Sequence, residues 1–185
     1  MSKLNLNEKY NALFESDCRY FIITGGRGSG KSFAVTVFLT ILTMTQGIRI
    51  LFTRYTMASA HLSIIPEFLE KIGLLGFEDI FSINKAEVVN LGNQSDILFR
   101  GIKTSSGNQT ASLKSLQGIS TWVLDEAEEL IDEDIFDTID LSVREKDVQN
   151  RIVLILNPVT KEHWLYKRFF EDKGVQGGFN GVKDN

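Results

Sequence analysis

The chain has 185 residues, 43% hydrophobic and 24% charged. That is enough for one domain with a substantial core, too little for two ordinary ones, and unlike a disordered chain. Its lone cysteine, Cys18, excludes an intramolecular disulfide framework and a cysteine zinc cluster. Acids outnumber bases 24 to 20, for a net charge of −4. A broad basic face that holds nucleic acid unaided is therefore excluded, and any such contact is local, shared among subunits, or made by another domain.

In chain order, Met1 to Asp17 is polar with isolated apolar residues and does not read as a signal peptide. Arg19 to Thr24 (RYFIIT) predicts a short strand that stops at Gly25-Gly26, and Lys31 to Thr45 predicts a helix. The near-apolar run within it, Phe33 to Met44, is too short for a membrane span and reads as buried. The expectation is a soluble protein of a reducing compartment. Arg49 to Thr53 predicts a second strand, and Ala58 to Ile72 a second helix that Pro66 bends or splits. Glu87 to Leu91 and Asp96 to Arg100 flank Gly92-Asn93-Gln94-Ser95, the pattern of a hairpin. Ser120 to Leu124 and Arg151 to Leu156 predict two buried strands, with a helical rhythm over Asp132 to Arg144 between them. Strands alternating with helices imply an α/β domain with a mainly parallel sheet covered on both faces and the hairpin as an antiparallel addition. The tail from Gly174 to Asn185 has no strong pattern.

Gly25 to Ser32 (GGRGSGKS) fits G-x-x-x-x-G-K-[ST], with Gly25, Gly30, Lys31 and Ser32 in the fixed places. Backbone amides of Gly25, Gly26, Arg27, Gly28, Ser29 and Gly30 can turn inward on phosphate oxygens at a helix N-terminus. Lys31 then reaches the β- and γ-phosphates of ATP, and the Ser32 hydroxyl joins the Mg²⁺ shell. The plain alternative is a flexible Gly/Ser turn, but this one follows a predicted strand and opens a predicted helix. Thr121 to Leu130 (TWVLDEAEEL) is a buried strand ending in acid: Asp125 is placed to hold Mg²⁺, and Glu126 to orient and deprotonate water. The competing account is an acidic helix start favoured by the dipole.

Asn157-Pro158 ends the strand RIVLIL, where an open sheet keeps its ligand crevice; Asn157 is a γ-phosphate sensor or a simple Asn-Pro turn. Arg27 sits inside the phosphate loop, where a guanidinium neutralises or senses the transferring phosphoryl group, or is an exposed loop arginine. Arg54, Arg100, Arg144 and Lys114 are weaker candidates for reaching a neighbouring subunit's ATP, against plain surface or salt-bridged roles. His61 and His163 stand apart from any metal spacing and receive no role.

RYFIITGGRGSGKS, LFTRYT, ILFRGI, KSLQGISTWVLDEAEEL and LILNPVTKEHWLYKRFF together resemble the large terminase subunit of tailed bacteriophages, over roughly Tyr10 to Phe170. The arginine in the phosphate loop, the Arg100-Gly101 pair and Asn157-Pro158 with HWLYKRFF are its more particular marks. The resemblance implies an ASCE-type P-loop NTPase fold. It also implies a packaging ATPase that pumps double-stranded DNA into a procapsid as a ring of subunits, usually five. The implied partners are a portal protein and a small terminase subunit, and the implied place is the cytoplasm of the infected bacterium. It gives Lys31 and Ser32 as ATP and Mg²⁺ ligands, Asp125 as the Walker-B acid and Glu126 as the base. Arg27 becomes an ATP sensor and Asn157 part of a coupling motif, with adenine contacts arising somewhere in Tyr10 to Arg19. Such proteins also carry a C-terminal nuclease domain. None follows here, so residues 1–185 read as the ATPase domain of a longer protein, with its last elements incomplete after 174. That fragment is expected to be largely monomeric, slow at hydrolysis and without nuclease activity. Three other classes share parts of the pattern: a helicase-like motor core, a nucleotide-gated binding module and a small-molecule kinase. The last has no use for Glu126.

Overall fold

The computed structural model describes residues 5–57, 60–104, 107–108, 113 and 115–183. A 3₁₀ turn (Glu8–Tyr10) and the one-turn helix α1 (Ala12–Glu15) lead into β1 (Tyr20–Thr24), and α2 (Lys31–Leu42) follows the glycine loop. β2 (Arg49–Thr56) and α3 (Ala60–Leu75) come next. Three further strands, β3 (Phe81–Ile83), β4 (Glu87–Asn90) and β5 (Asp96–Thr104), precede the two-residue β6 (Gly107–Asn108). β7 (Ile119–Asp125), α4 (Glu133–Asp140), β8 (Arg151–Leu156) and the short α5 (Trp164–Tyr166) complete the order.

The strands form one sheet in the order β1-β8-β7-β2-β5-β4-β3, with β6 on β5. The five from β1 to β5 in that order run parallel; β4 and β3 are antiparallel. The expected hairpin exists as β4 and β5, but only β4 is an addition. β5 pairs in parallel with β2, Ile50 facing Ile97, and so belongs to the central sheet. The turn between them is held by its own side chains: Asn90 Oδ1 accepts from Gly92 N and Asn93 Oδ1 from Ser95 N. β3 has no counterpart in the sequence reading, since three residues give too short an alternation to recognise.

Period-two alternation sorts β7 and β8 between two cores. Val123 and Val153 face one with Phe38, Phe52, Phe68 and Phe99, while Trp122, Leu124 and Leu154 face the other with Phe136, Trp164 and Leu165. Trp122 Nε1 donates to Thr53 Oγ1, which donates to Val123 O, so these two buried side chains find their partners between β2 and β7. α3 runs through Pro66 without splitting. The ring is exposed, whereas Ile64, Ile65, Phe68 and Ile72 bury against the sheet and hold the helix across the missing amide. α2 stops at Leu42 rather than Thr45, because the buried Thr40 and Thr43 hydroxyls bond back to Thr36 O and Thr40 O and close the last turn. α4 is likewise shorter than expected, ending before Leu141. Among the described residues no helix is long and apolar enough to cross a membrane.

Candidate nucleotide site

The parallel strands all point their carboxyl ends at one edge, and the loops leaving β1, β7 and β8 meet there. They line a cleft of about 370 Å³ formed by Arg27 to Phe33, Arg54, Asp125, Glu126, Glu128 and Ile155 to Asn157. The sequence motifs thus converge, although Gly25-Ser32, Asp125-Glu126 and Asn157 are far apart in the chain.

Gly28 (φ 74°) and Gly30 (φ 82°) sit in the left-handed region, which turns the loop into the first turn of α2. Gly30 is the α2 N-cap and no side chain caps it, so the first amides of the helix remain available to an anion. A Cβ on Gly25 would stand 3.1 Å from Ser29 Oγ, so a side chain there would crowd the loop. Ser29 Oγ is buried and without a protein partner, which suits a loop whose polar atoms serve a ligand. Lys31 Nζ donates to the carbonyl of Gly25, to Gly26 O at 3.1 Å and to Asn157 Oδ1 at 3.4 Å. All three are acceptors, and phosphate oxygens would be stronger ones. From the other side Tyr10, itself buried, donates its hydroxyl to Ser29 O at 2.9 Å, and Lys9 Nζ reaches the same oxygen at 3.4 Å. The segment expected to contact adenine therefore braces the phosphate loop.

Asp125 ends β7 almost fully buried, and Glu126 follows in the left-handed region at φ 55°. For a non-glycine residue that conformation is costly, and here it swings the Glu126 carboxylate into the cleft. Burial pushes the Glu126 carboxyl above the usual carboxylate range; Arg54 opposes this, while Asp125, Glu129 and Glu128 add to it. Glu128 is a residue the sequence reading missed. Its Oε1 accepts from Asn157 Nδ2 at 2.6 Å and its Oε2 from Asn157 N at 3.2 Å. Asn157 is thereby held between Lys31 and Glu128. His163, given no role from sequence, secures this loop. Its Nδ1 accepts from Leu165 N, so the ring proton lies on Nε2, which donates to Glu128 O at 3.1 Å.

Ser32 and Asp125 lie on the same cleft, as Mg²⁺ coordination through a hydroxyl and a carboxylate requires. Among the described residues no group of three His, Cys, Asp or Glu could hold a metal alone. Mg²⁺ needs none, since one or two protein ligands with phosphates and water suffice. Arg27 is exposed at the mouth. Of the two roles weighed for Arg54, the structure shows the salt-bridged one: it is ion-paired to Asp125 in its own cleft. Arg100 stays outside the cleft, donating to Phe99 O and Ala86 O. Arg144 lines a separate cleft at the start of β7, with Gln117, Gly118 and Glu145. Lys114 lies outside the described residues.

A family model described as phage terminase large subunit matches residues 17–183. The terminase large subunit of Bacillus phage SPP1 is 24% identical over 194 aligned positions, covering 91% of this chain and 43% of that protein. The chain thus spans less than half the length of this curated relative. Among solved structures, the large terminase of a thermophilic bacteriophage is 14% identical with a TM-score of 0.71, over 92% of this chain and 43% of the other. The same protein has been solved with ADP and with ATP-γ-S. The ATPase domain of the Thermus phage P74-26 large terminase is 18% identical with a TM-score of 0.66, over 95% of this chain and 72% of that one. These likenesses establish the fold as that of the terminase ATPase domains, a P-loop NTPase.

Proposed function

The chain belongs to the phage terminase large-subunit family, and on that premise we propose that it binds and hydrolyses ATP with Mg²⁺ to drive double-stranded DNA into a procapsid. The observation that carries this reading is the convergence of the phosphate loop, Asp125, Glu126 and Asn157 on one cleft. A structural relative in complex with ADP and ATP-γ-S supports the choice of nucleotide. In this reading the amides of residues 25–32 and Lys31 bind the phosphates, and Arg27 stands at the mouth to sense or neutralise the γ-phosphate. Ser32 and Asp125 would hold Mg²⁺, which would supply charge screening at the phosphates. Glu126 takes the proton of the attacking water at its carboxylate; a carboxylate whose affinity for protons is raised by burial is the better acceptor. Asn157 touches both Lys31 and, through two hydrogen bonds, Glu128. A change in what Lys31 binds is thereby passed to the loops after β7 and β8, the mechanical step we assign to this site.

The same reading makes the chain the ATPase part of a large terminase subunit, since it spans 43% of the SPP1 relative and 72% of the P74-26 ATPase domain. It acts in the infected host's cytoplasm as a ring, pentameric by family resemblance, on a portal protein and with a small terminase subunit. Arg100, Lys114 and Arg144 remain candidates to complete a neighbour's site, and the isolated chain is monomeric and slow.

The test is steady-state ATP hydrolysis by wild type and Glu126→Ala over a wide range of protein concentration. We expect Glu126→Ala to lose at least about 100-fold in kcat, and wild-type specific activity to rise with concentration. Equal rates for the two proteins would remove Glu126 from the chemistry. A high wild-type rate independent of concentration would remove the need for a neighbour.

A further inference from the structure

Arg54 has no part in the mechanism above, yet it is built into the cleft. It lies at the carboxyl end of β2, on the strand beside β7, one residue beyond the Thr53–Leu124 register pair. Its Nε donates to Asp125 Oδ2 at 2.7 Å, its Nη2 lies 2.5 Å from the same oxygen, and Nε stands 3.7 Å from Glu126 Oε2. The Arg54 side chain is 23% exposed and that of Asp125 6%, so water screens this pair little. One guanidinium of the chain's own thus serves both carboxylates of the hydrolytic pair.

The neighbouring backbone is shaped for this placement. Gly101 of β5 pairs with Arg54. A Cβ at 101 would stand 3.3 Å from Met57 N and 3.1 Å from Lys103 O, so any side chain would push away the strand end that carries Arg54. That gives the Arg100-Gly101 pair, noted in the sequence as a family mark, a structural task. Glu67 of α3 also lies within electrostatic range of Arg54 and Asp125, so the arginine is ringed by acids.

We propose that Arg54 is a positioning residue acting within its own subunit: it competes with Mg²⁺ for Asp125 and, as the metal draws on that carboxylate, turns to Glu126 and orients it for catalysis. The inference rests on the nucleotide reading of the cleft. Two cations cannot each have the full field of one buried carboxylate, so metal binding must weaken the Arg54–Asp125 contact. The shift required is small. From 3.7 Å, a movement of about 1 Å brings Nε into charge-assisted hydrogen-bonding range of Glu126. The metal-bound state is then also the state in which the hydrolytic carboxylate is fixed.

The experiment measures binding of a fluorescent ADP analogue to the full chain, in excess Mg²⁺ and in EDTA, for wild type, Arg54→Gln and Arg54→Lys, with kcat and KM for ATP. Arg54→Gln should bind the nucleotide as wild type does in EDTA but about fivefold more tightly in Mg²⁺, with kcat lowered about 100-fold and KM for ATP lowered rather than raised. A packing role would weaken binding in both conditions and would not improve it in Mg²⁺. Arg54→Lys keeps a cation on Asp125 but cannot span two carboxylates, so it should retain wild-type Mg²⁺ dependence with reduced kcat. It also carries the test should Arg54→Gln not fold. Equal gains from Mg²⁺ in wild type and Arg54→Gln, or full kcat in Arg54→Lys, overturn the proposal while leaving the nucleotide reading intact. Failure of the wild type to bind the analogue at all overturns both.

Discussion

The two ends of the parallel strands are built from the same residue types and spend them differently. At the amino end, two arginines are matched with acids, while Arg151 has only Gln149 among the described residues. Arg19 donates to Asp140 Oδ1 at 2.6 Å and to the carbonyls of Asp140 and Val143, while Tyr20 gives its hydroxyl to Asp140 Oδ2. Arg49 is paired with Asp96 between β2 and β5. At the carboxyl end, Lys31 leans on carbonyls, Ser29 Oγ has no protein partner, Glu126 is held in a left-handed conformation, and one arginine answers two acids. Each end holds a buried polar atom with no protein partner, Ser29 Oγ at the cleft and Thr121 Oγ1 and Arg151 Nε in β7 and β8; what separates the ends is that ion pairs tie the elements together at one and converge on the cleft at the other.

The comparison breaks if the two ends fail to separate stability from chemistry. The largest effect expected is at the amino end: Asp140→Ala leaves the Arg19 guanidinium and the Tyr20 hydroxyl without their carboxylate. With Arg19 partly in water, this should cost about 2 kcal/mol in denaturant unfolding, with nucleotide affinity unchanged. An affinity loss would show that the ends are coupled. At the other end, Glu128→Ala frees Asn157 and should lower kcat about tenfold with little change in KM or unfolding midpoint. The smallest effect is that of Glu67, whose carboxyl burial pushes upward, with Lys71 opposing. A raised folded value means that its charged form is disfavoured in the fold, so stability is lost as pH rises through that value. Glu67→Gln should therefore raise the melting temperature by about 1–2 °C at about pH 8, the gain vanishing near about pH 4. A gain that persists in acid would place its cause in packing.

What the sequence made legible follows from contiguity. The phosphate loop and the Asp125-Glu126 pair are each written in one short run, and the buried strands are long enough for their alternation to show. β5 read as half of a hairpin because local pattern shows the turn to β4 and not the parallel pairing with β2. Pro66 argued for a break that tertiary burial of Phe68 and Ile72 overrides. In the site, the contacts of Arg54, Glu128, His163 and Tyr10 are not legible in the sequence for one reason: each is made with a partner distant in the chain, Asp125, Asn157, Glu128 O and Ser29 O respectively. A side chain's sequence carries its chemistry but not its neighbour.

The position of β8 has a consequence for how the molecule is made. It inserts between β1 and β7, and among the described residues β1 has no other strand partner. A nascent chain carries the whole glycine loop before residue 32 is passed, but the strand that leads into it cannot join the sheet until Arg151 to Leu156 have been synthesised. The nucleotide cleft is accordingly completed only after β8 has been made. Until then Phe21 and Ile23 lack the β8 neighbours that cover them, so the interval before β8 docks is when the chain is most exposed to misassociation.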